Sequence, residues 1–345
     1  MNREAIIKKD STIKVALQTI NNLSGQTLFV VNEEGKMVGT ISDGDIRRAL
    51  INDFTTSSSI AEVMSTNFRF LRINSFSSER LAEFKKSNIQ YVPLLNEQDE
   101  IEDIINLKNL KSVLPLEAII MAGGKGTRLK PHTLSTPKPL LEINGKPIIE
   151  YNIDRLIQFG VKKIYISVNY LKEQIKEYFG NGSSKGISIE YIEETEITGT
   201  LGSATYVDKF HTKEVLVMNS DLLTNVNYED LYKTYLEKKS EIVVATVPYE
   251  VTIPYGVVET EDSKVKSLKE KPTYTYYSNA GIYIINSSCF REIPQRAFYN
   301  ATDLINKLLI EKRTVTNYPI IGYWLDIGKP RDFAKAQEDA KHIQF

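Results

Sequence analysis

Two similar patterns of apolar and polar positions follow one another between residues 1 and 113. In the first, helical spacing in TIKVALQTINNLS precedes two strand-like runs, TLFVV and KMVGTIS, which the acidic turn NEEG joins into a predicted hairpin. DGDIRRALIN then predicts a helix whose first Asp suits a helix cap. After a polar segment at residues 55–59, the second pattern predicts helix, strand, acidic turn, strand and helix again. We therefore predict an α+β tandem repeat.

From LPLEAIIMAGG onward, short apolar runs alternate with helical patterns. The runs AIIMA, KKIYISVN, EVLVMNSD and EIVVATVP have the length and flanks of buried strands, whereas PIIEYNIDRLIQFG has helical spacing. This alternation predicts an α/β fold with a mostly parallel sheet covered by helices. We expect the boundary near Pro115, which gives domains over residues 1–113 and 116–345.

The length of the chain agrees with two domains, and its charge disfavours some classes of binding partner. The chain has 345 residues, more than one small core usually needs, and its formal net charge of −1 disfavours a nucleic-acid or membrane partner. Cys289 is the only cysteine, which excludes an intrachain disulfide. The N-terminal sequence has no signal-peptide pattern, and no apolar run approaches the roughly 18 residues of a membrane span. We expect a cytoplasmic protein.

The segment MAGGKGTRLKP places Gly123, Gly124 and Gly126 directly after a predicted strand. Closely spaced glycines allow a tight turn and bring backbone N–H groups near a ligand, and the following Arg and Lys favour an anionic ligand. The spacing matches neither a P-loop nor a dinucleotide fingerprint. A simple strand-to-helix turn is the alternative.

The longer segment GGKGTRLKPHTLSTPKPLLEINGKPIIEY resembles the signature of the sugar-1-phosphate nucleotidyltransferases. The motifs ETEITGTLGSA, MNSD, KEKP, NAGIY and WLDIG follow in that family's order, so the resemblance covers residues 117–330. It implies a Rossmann-like, mostly parallel sheet. It also implies an enzyme whose partners are a nucleoside triphosphate and a sugar 1-phosphate, and whose products are a nucleotide sugar and pyrophosphate.

The resemblance assigns roles to the residues at the expected ligand edge of the sheet. It implies that Arg128, Lys138 and Asp221 are catalytic, and that Asp221 and Asp326 hold Mg²⁺ as cofactor. Two carboxylates together with phosphate oxygens and water are a usual ligand set for this ion. The glycine loop would bind the triphosphate through its backbone groups. The residues that contribute them are Ala122, Gly123, Gly124, Gly126 and Thr127.

The same resemblance places the sugar on three later segments. Gly199 would let the chain approach the sugar, with Thr200 beside it. Glu270, Lys271 and Asn279 match further contacts to the sugar and its phosphate. The alternative for Glu270 and Lys271 is a solvated charge run in KSLKEKP.

The N-terminal repeat resembles a tandem CBS-domain pair. GTISDGDI, residues 39–46, carries the resemblance, and it implies that Ser42 and Asp45 bind a regulatory nucleotide. The second copy lacks this motif. Alternatively, the repeat serves only in packing and dimerisation, and Ser42 and Asp45 only cap a helix. CBS pairs often associate, so we expect a homo-oligomer.

The motifs are closer to guanylyl-transferring members of the family than to thymidylyl or uridylyl ones. Fusion to a CBS pair resembles the glucosamine-1-phosphate guanylyltransferases that supply legionaminic acid synthesis, so we expect GTP and glucosamine 1-phosphate as substrates. Mannose 1-phosphate or a heptose 1-phosphate is the alternative acceptor. A nucleotide sensor with an inactive transferase half is the alternative from another class of protein.

Overall fold

A computed structural model describes residues 3–23, 26–73, 75–343 and 345. The chain divides into two compact units, Met1–Pro115 and Leu116–Phe345. Within the described residues, no helix is long and apolar enough to cross a lipid bilayer.

The first unit contains two small three-stranded sheets, each with one parallel and one antiparallel pair of strands. Its elements are β1 (Ile6–Lys8), α1 (Ile13–Asn22), β2 (Leu28–Val31), β3 (Met37–Ile41), α2 (Asp43–Ile51), β4 (Leu71–Arg72), α3 (Ser78–Lys86), β5 (Tyr91–Leu95) and β6 (Ile101–Asn106). Both predicted hairpins form, β2 with β3 and β5 with β6.

Two local predictions for this unit were wrong. The cap of α2 is Ser42 rather than Asp43, because Ser42 and Asp45 form a reciprocal capping box. The helix expected after β6 is absent. There the Asn106 side chain accepts a hydrogen bond from the Lys108 N–H, which favours a turn. The Lys85 ammonium on α3 also donates to the carbonyl of Leu110, a contact between distant segments.

The second unit is built on one seven-stranded sheet with helices and smaller ribbons around it. Its elements are β7 (Glu117–Met121), β8 (Glu142–Ile143), β9 (Lys146–Pro147), α4 (Ile148–Gln158), β10 (Lys163–Val168), α5 (Lys172–Phe179), β11 (Ser188–Glu193), β12 (Glu214–Asn219), β13 (Leu222–Thr224), α6 (Tyr228–Lys238), β14 (Ile242–Thr252), β15 (Val257–Glu261), β16 (Lys264–Lys269), β17 (Thr273–Asn286), α7 (Ala301–Ile310), β18 (Val315–Pro319), β19 (Trp324–Asp326) and α8 (Pro330–Asp339).

The large sheet has the strand order β11-β10-β7-β12-β17-β14-β18. Strand β17 runs antiparallel to both of its neighbours, and all other adjacent pairs are parallel. Side chains on both faces of the central strands are buried, as their continuous apolar runs predict. The predicted α/β class with a mostly parallel sheet is confirmed. The carboxyl ends of β7 and β12 lie side by side at one edge, where such sheets usually bind ligands.

Strands β14 and β17 continue past the sheet as a two-stranded arm. Their pairing runs from Thr246 with Asn279 to Thr252 with Thr273, which is about 20 Å at the usual rise of a strand. Because β14 runs parallel to β12, the arm projects from the same edge as the carboxyl end of β12. The β15–β16 hairpin follows at its far end.

Candidate active site

A cavity of about 380 Å³ lies at the carboxyl ends of β7 and β12. It brings together most of the predicted site residues, although they come from four separate segments of the chain. Those lining it are Gly123, Gly124, Gly126, Thr127, Arg128, Lys138, Gly199, Thr200 and Asp221. The segments are expected to meet here because strands β7 and β12 are neighbours in the sheet.

The glycine loop turns closely around Lys138. Gly126 has a φ of +60°, and a Cβ at this position would lie 2.9 Å from the Cβ of Lys138. A side chain there would therefore displace the lysine. Arg128 follows in a single 3₁₀ turn, and its guanidinium lies against Gly328. Ala122 differs from the expectation, because its N–H already donates to the Ser167 carbonyl at 2.9 Å and is not free for a phosphate.

Lys138 forms an ion pair with Asp221. The lysine is only 8% exposed, and Pro137 and Pro139 on either side restrict its backbone. The pair therefore lies in a partly dry environment, where charges interact more strongly than at an open surface.

Asp326 lies next to Asp221 because the antiparallel β13–β19 ribbon pairs Leu222 with Asp326. The Ile327 N–H also donates to the Asp221 carbonyl at 3.0 Å. Burial raises the pKa of Asp326, and the neighbouring Asp221 carboxylate raises it further, against the opposing charges of Lys138 and Arg128. The Oδ1 of Asp326 is buried, and no described residue gives it a hydrogen bond. Two adjacent carboxylates, one with an unpaired buried oxygen, suit a divalent cation chemically.

Asn152 on helix α4 fixes the backbone around Asp221, and the sequence did not single it out. Its Nδ2 donates to the carbonyl of Leu222 at 2.9 Å and to that of Ser220 at 3.5 Å. These bonds span about 70 residues of sequence, so no local pattern predicts them.

Glu194 is a second residue that the sequence reasoning missed. It is buried, lines the cavity and accepts hydrogen bonds from the Ser167 hydroxyl and from the N–H and hydroxyl of Thr198. A Cβ on Gly123 would lie 3.0 Å from its Oε1, so the carboxylate also faces the glycine loop. Glu194 is the first residue of the motif ETEITGTLGSA, of which only Gly199 and Thr200 had been assigned a role.

Gly199 and Thr200 line the cavity, but both also have structural partners. Gly199 has a φ of +77°, and a Cβ there would lie 2.7 Å from the Tyr299 carbonyl oxygen. The glycine is thus required by chain packing whether or not a sugar approaches it. The Thr200 hydroxyl accepts a hydrogen bond from the Ala301 N–H at 2.8 Å, at the start of α7.

The structure does not bring Glu270, Lys271 or Asn279 into the lining of the cavity. Glu270 and Lys271 are exposed at the far end of the arm. This position agrees with the alternative interpretation of KSLKEKP as a solvated run of charges. Asn279 lies at the base of the arm. Its Oδ1 accepts hydrogen bonds from the Gly281 N–H and the Tyr283 hydroxyl, both at 2.9 Å.

A second cavity, of about 580 Å³, lies in the first unit. Residues of both copies of the repeat line it, including Phe29, Thr40, Phe68, Arg69 and Tyr91. Ser42 and Asp45 are not among the lining residues, because they bind one another in the cap of α2. The helix-cap alternative thus accounts for their geometry.

Comparison with known proteins identifies the family. Residues 117–342 match the model of the nucleotidyl transferase family, and the chain belongs to this family. It is therefore a nucleotidyltransferase. Residues 1–52 match the CBS domain model, so a CBS domain precedes the catalytic unit.

Individual relatives share this catalytic unit. The chain is 34% identical to the D-glycero-alpha-D-manno-heptose 1-phosphate guanylyltransferase of Aneurinibacillus thermoaerophilus, over 66% of this chain and 99% of that protein. It is 32% identical to a mannose-1-phosphate guanyltransferase of Gibberella zeae, over 63% of this chain but only 62% of the fungal protein. A crystal structure from Bacillus anthracis, provisionally named a glucose-1-phosphate thymidylyltransferase and holding sucrose, is similar with a TM-score of 0.55. It is 25% identical, over 67% of this chain and 97% of that one.

Replacing Asp221 tests its place in the catalytic machinery. Asp221→Ala removes the partner of Lys138 and one of the two adjacent carboxylates, so we expect turnover to fall at least ~100-fold, the scale of losing a main electrostatic stabiliser. Asp208→Ala removes an exposed carboxylate outside this cavity and should leave turnover unchanged. Steady-state pyrophosphate release measures both variants. Wild-type turnover in Asp221→Ala would exclude Asp221 from the mechanism.

The raised pKa of Asp326 predicts a pH-dependent gain in stability when its charge is removed. The folded protein binds the proton of the Asp326 carboxyl more tightly than the unfolded chain does. The free energy of unfolding therefore falls as pH rises from the ordinary Asp pKa of 3.8 through the higher pKa of Asp326 in the folded protein. In the presence of EDTA, we expect Asp326→Asn to have a higher Tm than wild type at pH 7, with the difference shrinking as pH falls below the ordinary value. Thermal denaturation measures this. A lower Tm at pH 7 would contradict the electrostatic account.

Proposed function

We propose that this enzyme transfers a guanylyl group from GTP to a hexose or heptose 1-phosphate of the manno series. A phosphate oxygen of the sugar 1-phosphate attacks the α-phosphorus, the bond between the α-phosphorus and the bridging oxygen to the β-phosphate breaks, and pyrophosphate leaves. The observation that carries the proposal is one cavity lined by the glycine loop, Arg128, Lys138 and Asp221. The relatives named for mannose and heptose 1-phosphates support this acceptor class. Glucosamine 1-phosphate, expected from the sequence, has no comparable support.

Charge explains why these residue types are suited to the reaction. Both substrates are anions and repel each other, so the cavity must supply positive charge and fix their approach. The Arg128 guanidinium can bind phosphate oxygens as a planar fork, and Lys138 supplies a second cation. Free backbone N–H groups of the loop from Gly123 to Thr127 can add further donors. Positioning and charge stabilisation suffice for such transfers, without a covalent intermediate.

Asp221 and Asp326 would hold Mg²⁺. When bound, the ion supplies positive charge that offsets negative charge developing on the phosphate oxygens. In the structure the Lys138 ammonium neutralises Asp221. We expect Lys138 to turn to a phosphate when the triphosphate enters, because the lysine is then attracted by a larger negative charge.

Glu194 supports guanine as the base. Guanine presents two adjacent N–H donors, N1–H and the exocyclic amine, on its pairing edge, and a carboxylate can accept from both. Thymine and uracil present one N–H between two carbonyl groups, and the carbonyl oxygens would be repelled by a carboxylate. The Oε1 of Glu194 accepts one hydrogen bond, from Ser167, and keeps accepting capacity for the base, whereas Oε2 already accepts two hydrogen bonds from Thr198. Ile197, which is 58% exposed at the rim of the cavity, offers an apolar surface to a base.

Pyrophosphate release with each nucleoside triphosphate and a panel of sugar 1-phosphates tests the proposal. We expect the highest kcat/KM with GTP and a mannose or manno-heptose 1-phosphate. Glu194→Gln should lower the preference for GTP over dTTP by about tenfold, because one base contact is worth about 1–3 kcal/mol. Glu193, the preceding residue, is exposed, and the control variant Glu193→Gln should keep the preference for GTP over dTTP. No release from any pair would overturn the proposal and favour the nucleotide sensor.

We also propose that the cavity of the first unit binds a regulatory nucleotide, with residues other than those expected from the sequence. Phe68 and Tyr91, which are both partly exposed, offer aromatic surface to a base. Arg69 offers a guanidinium to a phosphate, and its ion pair with Glu83, at 3.7 Å, is exposed and weak. Thr40 contributes to the lining two residues before Ser42.

Calorimetric titration of the full chain with AMP, ATP and GTP tests this second site. Arg69→Ala should weaken one class of binding site by about tenfold, since a charge-assisted hydrogen bond contributes about 1.5–3 kcal/mol. Arg47→Ala, an exposed arginine outside the cavity, is the control. Identical titrations for wild type and Arg69→Ala with all three nucleotides would overturn the assignment.

A further inference from the structure

Asn219 is a polar residue of the catalytic cavity to which neither the motifs nor the reaction has assigned a role. It is the last residue of β12, two positions before Asp221, and it is half-buried in the cavity lining. Across the described part of the chain, no hydrogen bond involves its side-chain amide. An amide that faces an open cavity can hydrogen-bond to water. A ligand that fills the cavity displaces this water, and binding is then unfavourable unless the ligand itself hydrogen-bonds to the amide.

The neighbouring strand leaves room for this amide. Gly281 on β17 has a φ of +70°, and a Cβ there would lie 2.6 Å from the Nδ2 of Asn219 and 3.0 Å from its Cγ. Any other residue at this position would push the amide away. The irregular segment around Gly281 is itself held in place, since Asn279 accepts the Gly281 N–H and the Trp324 indole N–H donates to the Ala280 carbonyl at 2.9 Å.

Other asparagines at this end of the unit have structural partners. Asn152 donates to the backbone beside Asp221, Asn225 accepts the Tyr323 N–H at 2.6 Å, and Asn279 accepts from Gly281 and Tyr283. Asn219 differs from them, because its position is fixed by packing while its hydrogen-bonding groups stay available.

The strand order places Asn219 at one end of the cavity. The glycine loop follows β7 and Glu194 follows β11, whereas Asn219 lies on β12 beside β17, on the other side of the sheet's ligand edge. If the triphosphate and base occupy the β7 side, the acceptor sugar occupies the β12–β17 side. An uncharged amide carries one acceptor and two donors, which pair well with neighbouring hydroxyl groups and poorly with a phosphate that already has Arg128 and Lys138.

We propose that the Asn219 amide hydrogen-bonds hydroxyl groups of the acceptor sugar and thereby contributes to sugar specificity. The inference rests on the proposed function. Gly281 acts through Asn219 and is a positioning residue.

Separate KM values for the two substrates test the proposal in the full-length enzyme. Asn219→Leu keeps the size of the side chain but removes its polar groups, so we expect the KM for the sugar 1-phosphate to rise about tenfold or more, with the KM for GTP unchanged. Gly281→Ala should raise the same KM by displacing the amide. Gly186→Ala is its matched control, because Gly186 has nearly the same φ, +71°, with no atom within 4 Å of the point where a Cβ would lie and no place in the cavity.

The outcomes separate this inference from the proposed function. Absence of guanylyl transfer by the wild-type enzyme overturns the proposed function. An active wild type with an unchanged sugar KM in Asn219→Leu overturns the role of Asn219 alone. A rise in the KM for GTP, with lost discrimination between GTP and 2′-deoxy-GTP, would assign the amide to the ribose and also overturn it. Equal sugar KM increases in Gly281→Ala and Gly186→Ala would attribute the glycine effect to backbone strain and contradict the positioning role.

Discussion

The ion pair between Lys138 and Asp221 is the interaction on which the catalytic cavity depends. It joins the loop after the first central strand to the loop after the second, and it is largely shielded from water. Removing two charges from water is unfavourable, so such a pair is weak support for stability taken alone. Its position is instead maintained by packing, because Gly126 leaves space for Lys138 and Asn152 holds the backbone on both sides of Asp221.

A second unfavourable feature lies beside the pair. The β13–β19 ribbon holds Asp326 close to Asp221 and partly buried, and these surroundings disfavour its charged form. Lys138 and Arg128 lower the pKa of Asp326 but do not offset the effects of burial and of the neighbouring Asp221 carboxylate. The charged groups of this site therefore lower the stability of the folded protein, and burial of the large sheet offsets this loss. Such destabilising arrangements are typical of sites that bind charged ligands.

Sequence predicted the parts of the molecule that depend on local patterns. The continuous apolar runs of β7, β10 and β12 indicated a mostly parallel sheet, and the motif residues from Gly123 to Lys138 met Asp221 because their strands are neighbours. What the sequence did not predict arises from contacts between distant segments. Glu194, Asn152 and Asn219 have ordinary local surroundings in the sequence, and their positions around the cavity become apparent only when the loops meet.

Several predicted site residues lie outside the expected contacts for local structural reasons. The N–H of Ala122 continues the sheet by binding Ser167, and Ser42 and Asp45 cap α2 instead of lining a cavity. Glu270 and Lys271 follow the family motif in order, but the length of the arm keeps them exposed at its far end. Motif order therefore indicated the family correctly, while local hydrogen bonds and element lengths decided where individual side chains lie.

The most direct test of this account is a crystal structure of the enzyme with a non-hydrolysable GTP analogue and Mn²⁺ in place of Mg²⁺. The account predicts an anomalous manganese signal at the carboxylates of Asp221 and Asp326, the triphosphate along the glycine loop and Arg128, and Lys138 turned from Asp221 to a phosphate. A triphosphate bound elsewhere in the catalytic unit, or manganese away from both aspartates, would contradict it.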